Sequence, residues 1–399
     1  MENNLSNRIN ALEESATIAM AQKARELKSQ GIDVISLSLG EPDFKTPEHI
    51  QKAAKEAIDS GKFFAYPPVP GYPELRKGIA DKLKKENNID CTHDNIIVSN
   101  GAKHSIANVF MALINPGDEV IVYTPYWVSY VELIKLAEGV PVVIKGTLEQ
   151  DFKAPVEELR KAITPKTKAI IYSSPSNPTG SVFTKNELQE IADEVLKHEN
   201  IYVISDEIYE YINFFGEHVS IASIPGMFER TIVVNGFSKG YAMTGWRVGY
   251  ICAPLWIAKA CNKMQGQFTS GVCSIAQRAA IEAISGDQEP TKRMAEIYKK
   301  RRQLVLEGLD QIPGVKANQP GGAFYVFPDV SYFFGKSDGE TTVENASDLA
   351  LYILNKAHVS VVTGDAFGAP NCIRISYAAS DENLREALSR LKNTLAKLK

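Results

Sequence analysis

Lys239 lies in Gly236-Phe237-Ser238-Lys239, directly after the apolar run Ile232-Val233-Val234. A lysine between a buried strand and the next helix meets a low dielectric, which favours its neutral amine. Such an amine can attack a carbonyl carbon and form a Schiff base; the plain alternative is a solvated turn lysine. Asp206 follows a second apolar run, Ile201 to Ile204, where capping a helix is the commoner use of an aspartate. Together the two residues suit pyridoxal-phosphate chemistry. The lysine would hold the aldehyde, and the acid would pair with the pyridinium nitrogen and keep the ring a good electron sink.

A phosphate needs its own anchor. Gly101-Ala102-Lys103 leads into the helix predicted over Ser105 to Leu113, and a helix start with small residues offers free N–H groups and a favourable dipole. Arg247, eight positions after Lys239 in Thr244-Gly245-Trp246-Arg247-Val248-Gly249, could clamp the same anion or form a surface ion pair. A competing pattern overlaps the lysine. Gly236-Phe237-Ser238-Lys239-Gly240 matches the G-x-S-x-G nucleophile elbow of serine hydrolases, which also joins strand to helix. That chemistry needs a later acid and histidine. Only His358 follows Ser238, with Asp310, Asp329 or another acid to complete a triad, and the hydrolase reading leaves Asp206, Asn177 and Arg247 idle.

The scaffold is legible in the hydropathy pattern. Apolar runs at 95–98, 120–123, 140–144, 169–172, 201–204 and 232–234 do not alternate with polar residues, as in a parallel sheet covered on both faces by helices. Thr46-Pro47 opens a helix that Gly61 closes, and Thr184 to Glu187 is a capping box leading into Leu188 to His198. Ligands gather beyond the carboxyl ends of such strands, where Asn100 to Lys103, Pro125-Tyr126-Trp127, Ser176 to Gly180, Asp206 to Tyr209 and Ser238-Lys239 all fall. After about residue 290 the pattern changes. A long charged helix over Lys292 to Leu309 is followed by strands at 323–327, 359–362 and 373–377, and by a helix from Ser380 onward.

Composition narrows the classes. The 399 residues carry 44 Lys+Arg and 48 Asp+Glu, a net charge of −4, which offers no electrostatic footprint for nucleic acid. Hydrophobic residues at 44% and charged residues at 23% are ordinary for a globular protein. No apolar run approaches the roughly 20 residues that span a bilayer, and Met1-Glu2-Asn3-Asn4 does not read as the start of a signal peptide. The five cysteines are scattered and odd in number, and the six histidines show no ligand spacing. The expectation is a cytoplasmic protein with reduced thiols and no metal.

The ordered motifs resemble the class I pyridoxal-phosphate-dependent aminotransferases, closest to the bacterial aspartate aminotransferases of subgroup I-beta. They are Leu39-Gly40-Glu41-Pro42-Asp43-Phe44, Ser176-Asn177-Pro178-Thr179-Gly180, Asp206-Glu207-Ile208-Tyr209, the segment Gly236 to Gly249, and Ile373-Arg374-Ile375-Ser376. The likeness runs from about Leu5 to the last residue. It implies an α/β fold of the fold type I transferases: a mostly parallel sheet with a smaller α+β unit, divided as an arm over 1–45, a cofactor-binding body over 46–290 and a small unit over 291–399. It implies pyridoxal 5'-phosphate on Lys239, with Asp206 at the pyridinium and Tyr209 and Asn177 at the ring hydroxyl. Trp127 would stack on the ring, or serve as a core aromatic. Gly101, Ala102, Lys103, Ser238 and Arg247 would surround the phosphate, joined by Tyr66 of a neighbouring subunit unless Tyr66 is simply an apolar filler. Arg374 and Gly40 would receive the substrate α-carboxylate.

Two departures bear on specificity. Gly236 replaces a phosphate-binding serine found in many relatives, and 265–274 contains no arginine for a distal carboxylate. Lys103 is then the best cation for that carboxylate, unless it serves the phosphate or water. The implied reaction moves the amino group of L-aspartate to 2-oxoglutarate in a homodimer with shared sites. Aromatic amino acids, alanine or prephenate are the alternative substrates, and a β-lyase the alternative outcome. Prephenate is expected to be a poor acceptor, because Glu13 falls where prephenate-active relatives carry a cation, although Thr17 in Ser15-Ala16-Thr17 matches them. Transcription regulators built on this scaffold carry an added DNA-binding region, for which the first motif begins too early here.

Overall fold

The computed structural model describes residues 5–14 and 16–399; Met1-Glu2-Asn3-Asn4, read above for a leader, and Ser15 lie outside them. Seven strands form the main sheet: β1 (Ile96–Ser99), β2 (Glu119–Thr124), β3 (Val140–Lys145), β4 (Thr167–Ser173), β5 (Tyr202–Asp206), β6 (Thr231–Gly236) and β7 (Gly249–Cys252). Their spatial order is β1-β7-β6-β5-β4-β2-β3. β3, β2, β4, β5 and β6 are mutually parallel. β7 was not anticipated, and it runs antiparallel between β1 and β6. Its four residues begin with a glycine and carry only three hydrophobic side chains, Tyr250, Ile251 and Cys252, too short a run to read. Unalternating runs do become strands buried on both faces, as β1 and β6 are throughout. β3 departs because it is the edge strand. Val140 and Val143 are 46% and 40% exposed, and Pro141 is tolerated there because its missing N–H breaks no inner ladder.

Helices start close to where local chemistry directs. Thr184 Oγ1 accepts the Glu187 N–H while the Glu187 carboxylate accepts the Thr184 N–H, the reciprocal box expected; the helix it opens is Lys185–Val195 and stops short of the expected His198. Pro47 caps Glu48–Asp59 from just outside, one position earlier than expected. The helix after Gly101 begins at Ala102 and runs to Leu113.

Beyond the long helix Glu289–Leu309, Val362–Thr363, Ile373–Ser376 and Tyr325–Val326 form an antiparallel sheet. Ile35–Ser36 pairs in parallel with Val359–Ser360, and the Ser376 N–H donates to Leu37 O at 2.8 Å. The early segment is thus stitched to the late one, which carries Ser38 and Gly40 towards Arg374. One apolar cluster spans Met20, Leu37, Tyr209, Phe324 and Leu388, joining parts remote in sequence.

Candidate active site

The carboxyl ends of the parallel strands open on a cavity of about 670 Å³. Every site residue singled out above lines it except Gly101 and Tyr66. Lys239, just past β6, donates from Nζ to Gly40 O at 2.5 Å. Burial first, then the Arg374 and Arg247 cations, lowers its ammonium to about 8, against the opposing pull of Glu41 and Asp206. Asp206, the last residue of β5, is buried and accepts from Tyr130 Oη at 2.6 Å and from the Ile208 N–H at 3.3 Å. Burial lifts its carboxyl to about 6 despite those two donors. Tyr209 Oη lies 2.7 Å from Tyr325 Oη.

Arg374 is buried within Ile373–Ser376. Its Nη1 donates to Asn177 Oδ1 at 2.8 Å and its Nη2 to Ser38 O at 2.7 Å, and its guanidinium lies 4.6 Å from the Tyr325 ring centroid. Those contacts fix the fork and leave Nε without a partner among the described residues. Lys103, in the first turn of Ala102–Leu113, places Nζ 5.0 Å from the Trp127 ring centroid. Burial and the nearby Arg247 lower its ammonium. Among the described residues no carboxylate pairs with Lys103.

The anion cradle is built by close approach. Gly101 has φ +84°, and a Cβ there would meet Arg247 Nη2 at 2.2 Å. Arg247 itself is left-handed, φ +57°, its guanidinium held by Thr244 O at 2.9 Å and Asn100 O at 3.3 Å. The same crowding explains Gly236. A side chain there would run into Gly249 Cα at 2.8 Å and Val248 O at 2.9 Å, so a serine has no room on this backbone.

Tyr66, expected to serve a neighbouring subunit, is 94% exposed and does not line this chain's own cavity. The hydrolase reading finds no support there. No histidine lines the cavity among the described residues, and His358 instead adjoins the Val359–Ser360 pairing with Ile35–Ser36. Ser238 therefore lacks the base that a nucleophile elbow requires. Gln265, in the arginine-free stretch, is fully buried and donates to Val69 O and Val98 O, which makes it structural. Glu13 does not line the cavity, whereas Thr17 and Arg25 of the helix Ala16–Ser29 do. Sequence reasoning missed Tyr130, Tyr325 and Arg25. Tyr130 stands one helical turn after Trp127, a spacing that could have flagged it; Tyr325 and Arg25 carried no such signal.

A family profile described as "Aminotransferase class I and II" matches residues 32–391. The chain belongs to that family. These aminotransferases use pyridoxal 5'-phosphate, and the buried carboxylate, the depressed lysine and the Gly101–Arg247 cradle fit it. The chain is 46% identical over 400 residues, 99% of this chain and 83% of the relative, to a bifunctional aspartate aminotransferase and glutamate/aspartate-prephenate aminotransferase of Petunia hybrida. It is 44% identical over 393 residues, 98% and 99% of the two chains, to an aspartate aminotransferase of a Bacillus species. The crystal structure of the Rhizobium meliloti aspartate aminotransferase superposes at a TM-score of 0.96 with 39% identity, covering 100% of both chains. The Thermus thermophilus aspartate aminotransferase with maleate gives 0.92 and 42%, covering 98% of this chain and 100% of that one.

Proposed function

We propose that this aminotransferase moves the amino group of L-aspartate to 2-oxoglutarate, giving oxaloacetate and L-glutamate. The observation that carries the substrate choice is Lys103, a cation that lines the cavity and has no carboxylate partner among the described residues. Arg374, already oriented by Asn177 and Ser38, suits the α-carboxylate as a bidentate fork. A second carboxylate on the substrate would meet Lys103. Maleate, held by the Thermus thermophilus relative, is likewise a dicarboxylate.

Pyridoxal 5'-phosphate, when bound, supplies the aldehyde that takes up the amino group and the ring that spreads the electrons of the Cα–H bond. Lys239 Nζ would hold the cofactor and then carry the Cα proton. Asp206 would face the ring nitrogen, Tyr209 and Asn177 the ring hydroxyl, and Trp127 the ring face. Gly101, Ala102, Ser238 and Arg247 would hold the phosphate. The arm 1–45, the body 46–290 and the small unit 291–399 each contribute: Ser38 and Gly40, the cofactor groups, and Arg374 respectively.

Lys103→Ala should raise KM for aspartate and 2-oxoglutarate and cost about 1.5–3 kcal/mol in kcat/KM, the range for a lost charged hydrogen bond. Turnover of alanine or phenylalanine should fall far less. Equal losses on all donors, with weaker cofactor retention, would assign Lys103 to the phosphate instead. Arg25 favours prephenate as a second acceptor, since it adds a cation to the cavity wall where Glu13 adds no acid; the same panel, run with prephenate, measures it.

The exposure of Tyr66 supports a homodimer in which this ring completes the neighbour's phosphate site, with two equivalent sites by two-fold symmetry. Sedimentation at assay concentrations should show the dimer, and Tyr66→Phe should weaken cofactor retention. Full activity in a monomer would remove this part of the reading. A cytoplasmic setting fits the scattered cysteines, and no helix of the described residues is long and apolar enough to cross a membrane.

A further inference from the structure

The turn that carries Asp206 and Tyr209 has a second face. Asp206, at the end of β5, and Ile208 and Tyr209 in the turn after it line the cavity, whereas Glu207 and Glu210 do not. Both glutamates are buried, Glu207 to 1% exposure. Glu207 Oε1 accepts from Ser205 Oγ at 2.9 Å and Ser220 Oγ at 2.6 Å, and its Oε2 lies 2.9 Å from His218 Nε2. Glu210 is paired with Lys82 and accepts from Asn87 Nδ2 at 2.9 Å. The Lys82 ammonium pairs with Glu210, while His218, whose hold on its proton is strengthened by Glu207 and Glu210 against the cost of burial, faces the second carboxylate. The Glu207 N–H donates to Val234 O of β6 at 2.8 Å, which ties the turn to the strand leading to Lys239.

We propose that His218 is a positioning residue: by donating from Nε2 to Glu207 it pins the back of the turn and so holds Asp206 and Tyr209 at the orientation the cofactor requires. His218 touches neither the cavity nor the reacting atoms. A buried carboxylate that loses a donor seeks another partner, and the cheapest adjustment here is a rotation of the turn that would displace Asp206 from Tyr130. Ionised Glu207 also bears directly on the Asp206 carboxyl, which it pushes upward.

The inference rests on the cofactor reading above, and the two fail differently. Unaltered protein that binds no pyridoxal phosphate would remove the cofactor reading. The test of His218 compares His218→Ala with His218→Gln, whose amide nitrogen can reach the same place. Three quantities are read: the dissociation constant for pyridoxal phosphate added to cofactor-free protein, the pH midpoint of the bound cofactor's visible absorbance, and kcat against KM for aspartate. His218→Ala should weaken cofactor binding about tenfold, move the absorbance midpoint and lower kcat about tenfold, with KM within twofold. His218→Gln should restore all three to within about threefold. Where His218→Ala does not fold, Ser220→Ala removes a donor from the same carboxylate and should weaken cofactor binding about threefold. A variant that melts earlier yet keeps cofactor affinity, absorbance midpoint and kcat would make His218 structural only. A glutamine variant as impaired as the alanine one would equally overturn the proposed hydrogen bond.

Discussion

Replacing Lys239 with alanine should lower kcat by roughly three to four orders of magnitude, the upper range for a group that serves as both nucleophile and proton carrier. Purified wild-type protein should be yellow, and borohydride should fix the cofactor to Lys239 in a peptide map. The pH dependence has a definite sign. The reactive form is the neutral amine, and the folded chain lowers the ammonium to about 8. The rate at which cofactor-free protein captures pyridoxal phosphate should therefore rise as pH passes upward through about 8. A rate that keeps climbing well above pH 8 with no levelling would mean that burial and the Arg374 and Arg247 cations do not lower Lys239 as described. A colourless protein inactivated at Ser238 by a serine-directed phosphonate would overturn the assignment altogether.

Asp206→Asn should separate stability from activity. Loss of the anion beside the ring nitrogen should cut kcat about 10²–10³-fold, the scale for removing one preorganised electrostatic partner, while the cofactor still attaches to Lys239. The cofactor-free chain should respond in the opposite direction. Asp206 is lifted from an ordinary 3.8 to about 6 by burial, so the folded state holds this proton more tightly than the unfolded one. The resulting stabilisation is present below the unfolded value and is lost as pH rises through about 6. At pH 7 the ionised carboxyl then costs the cofactor-free fold about 3 kcal/mol, which the amide does not. Melting of cofactor-free Asp206→Asn should occur a few degrees higher than wild type at pH 7, and the gap should close near pH 4. Unchanged kcat would show that Asp206 has a different task; a lower melting point at pH 7 would show that its ionisation is not strained.

On the proposed reading a cation beside Asp206 would relieve that strained acid, and carboxylates would do the same for Lys103 and Arg374. Such groups line the cavity, and in that reading they would favour a ring bearing a cationic nitrogen and a substrate bearing two acids. They also explain its dependence on burial, since none would be perturbed in open solvent.

Residue order by itself determined much of this protein. The unbroken apolar runs dictated strands buried on both faces, because a chain covered by helices on each side leaves no polar alternation. The carboxyl-end rule then placed Lys239, Asp206, Asn177 and the Gly101 turn at one rim, and Thr184 with Glu187 announced a helix start through purely local hydrogen bonds. Tertiary structure decided what depended on partners distant in sequence. Gly40 reaches Lys239 only because Ile35–Ser36 pairs with Val359–Ser360. Tyr130 became the donor to Asp206 across 76 positions, and Tyr325, in a run legible only as a strand, became the neighbour of Tyr209. β7 turned antiparallel in mid-sheet, and its Gly249 packs against Ala102 so closely that a Cβ would sit 2.3 Å from the Ala102 nitrogen. β7 also crowds Gly236 through Gly249 Cα and Val248 O, which leaves no room for a serine there without a backbone shift. Periodicity reports which side of an element is buried; it carries no information on which remote side chain arrives to fill that side.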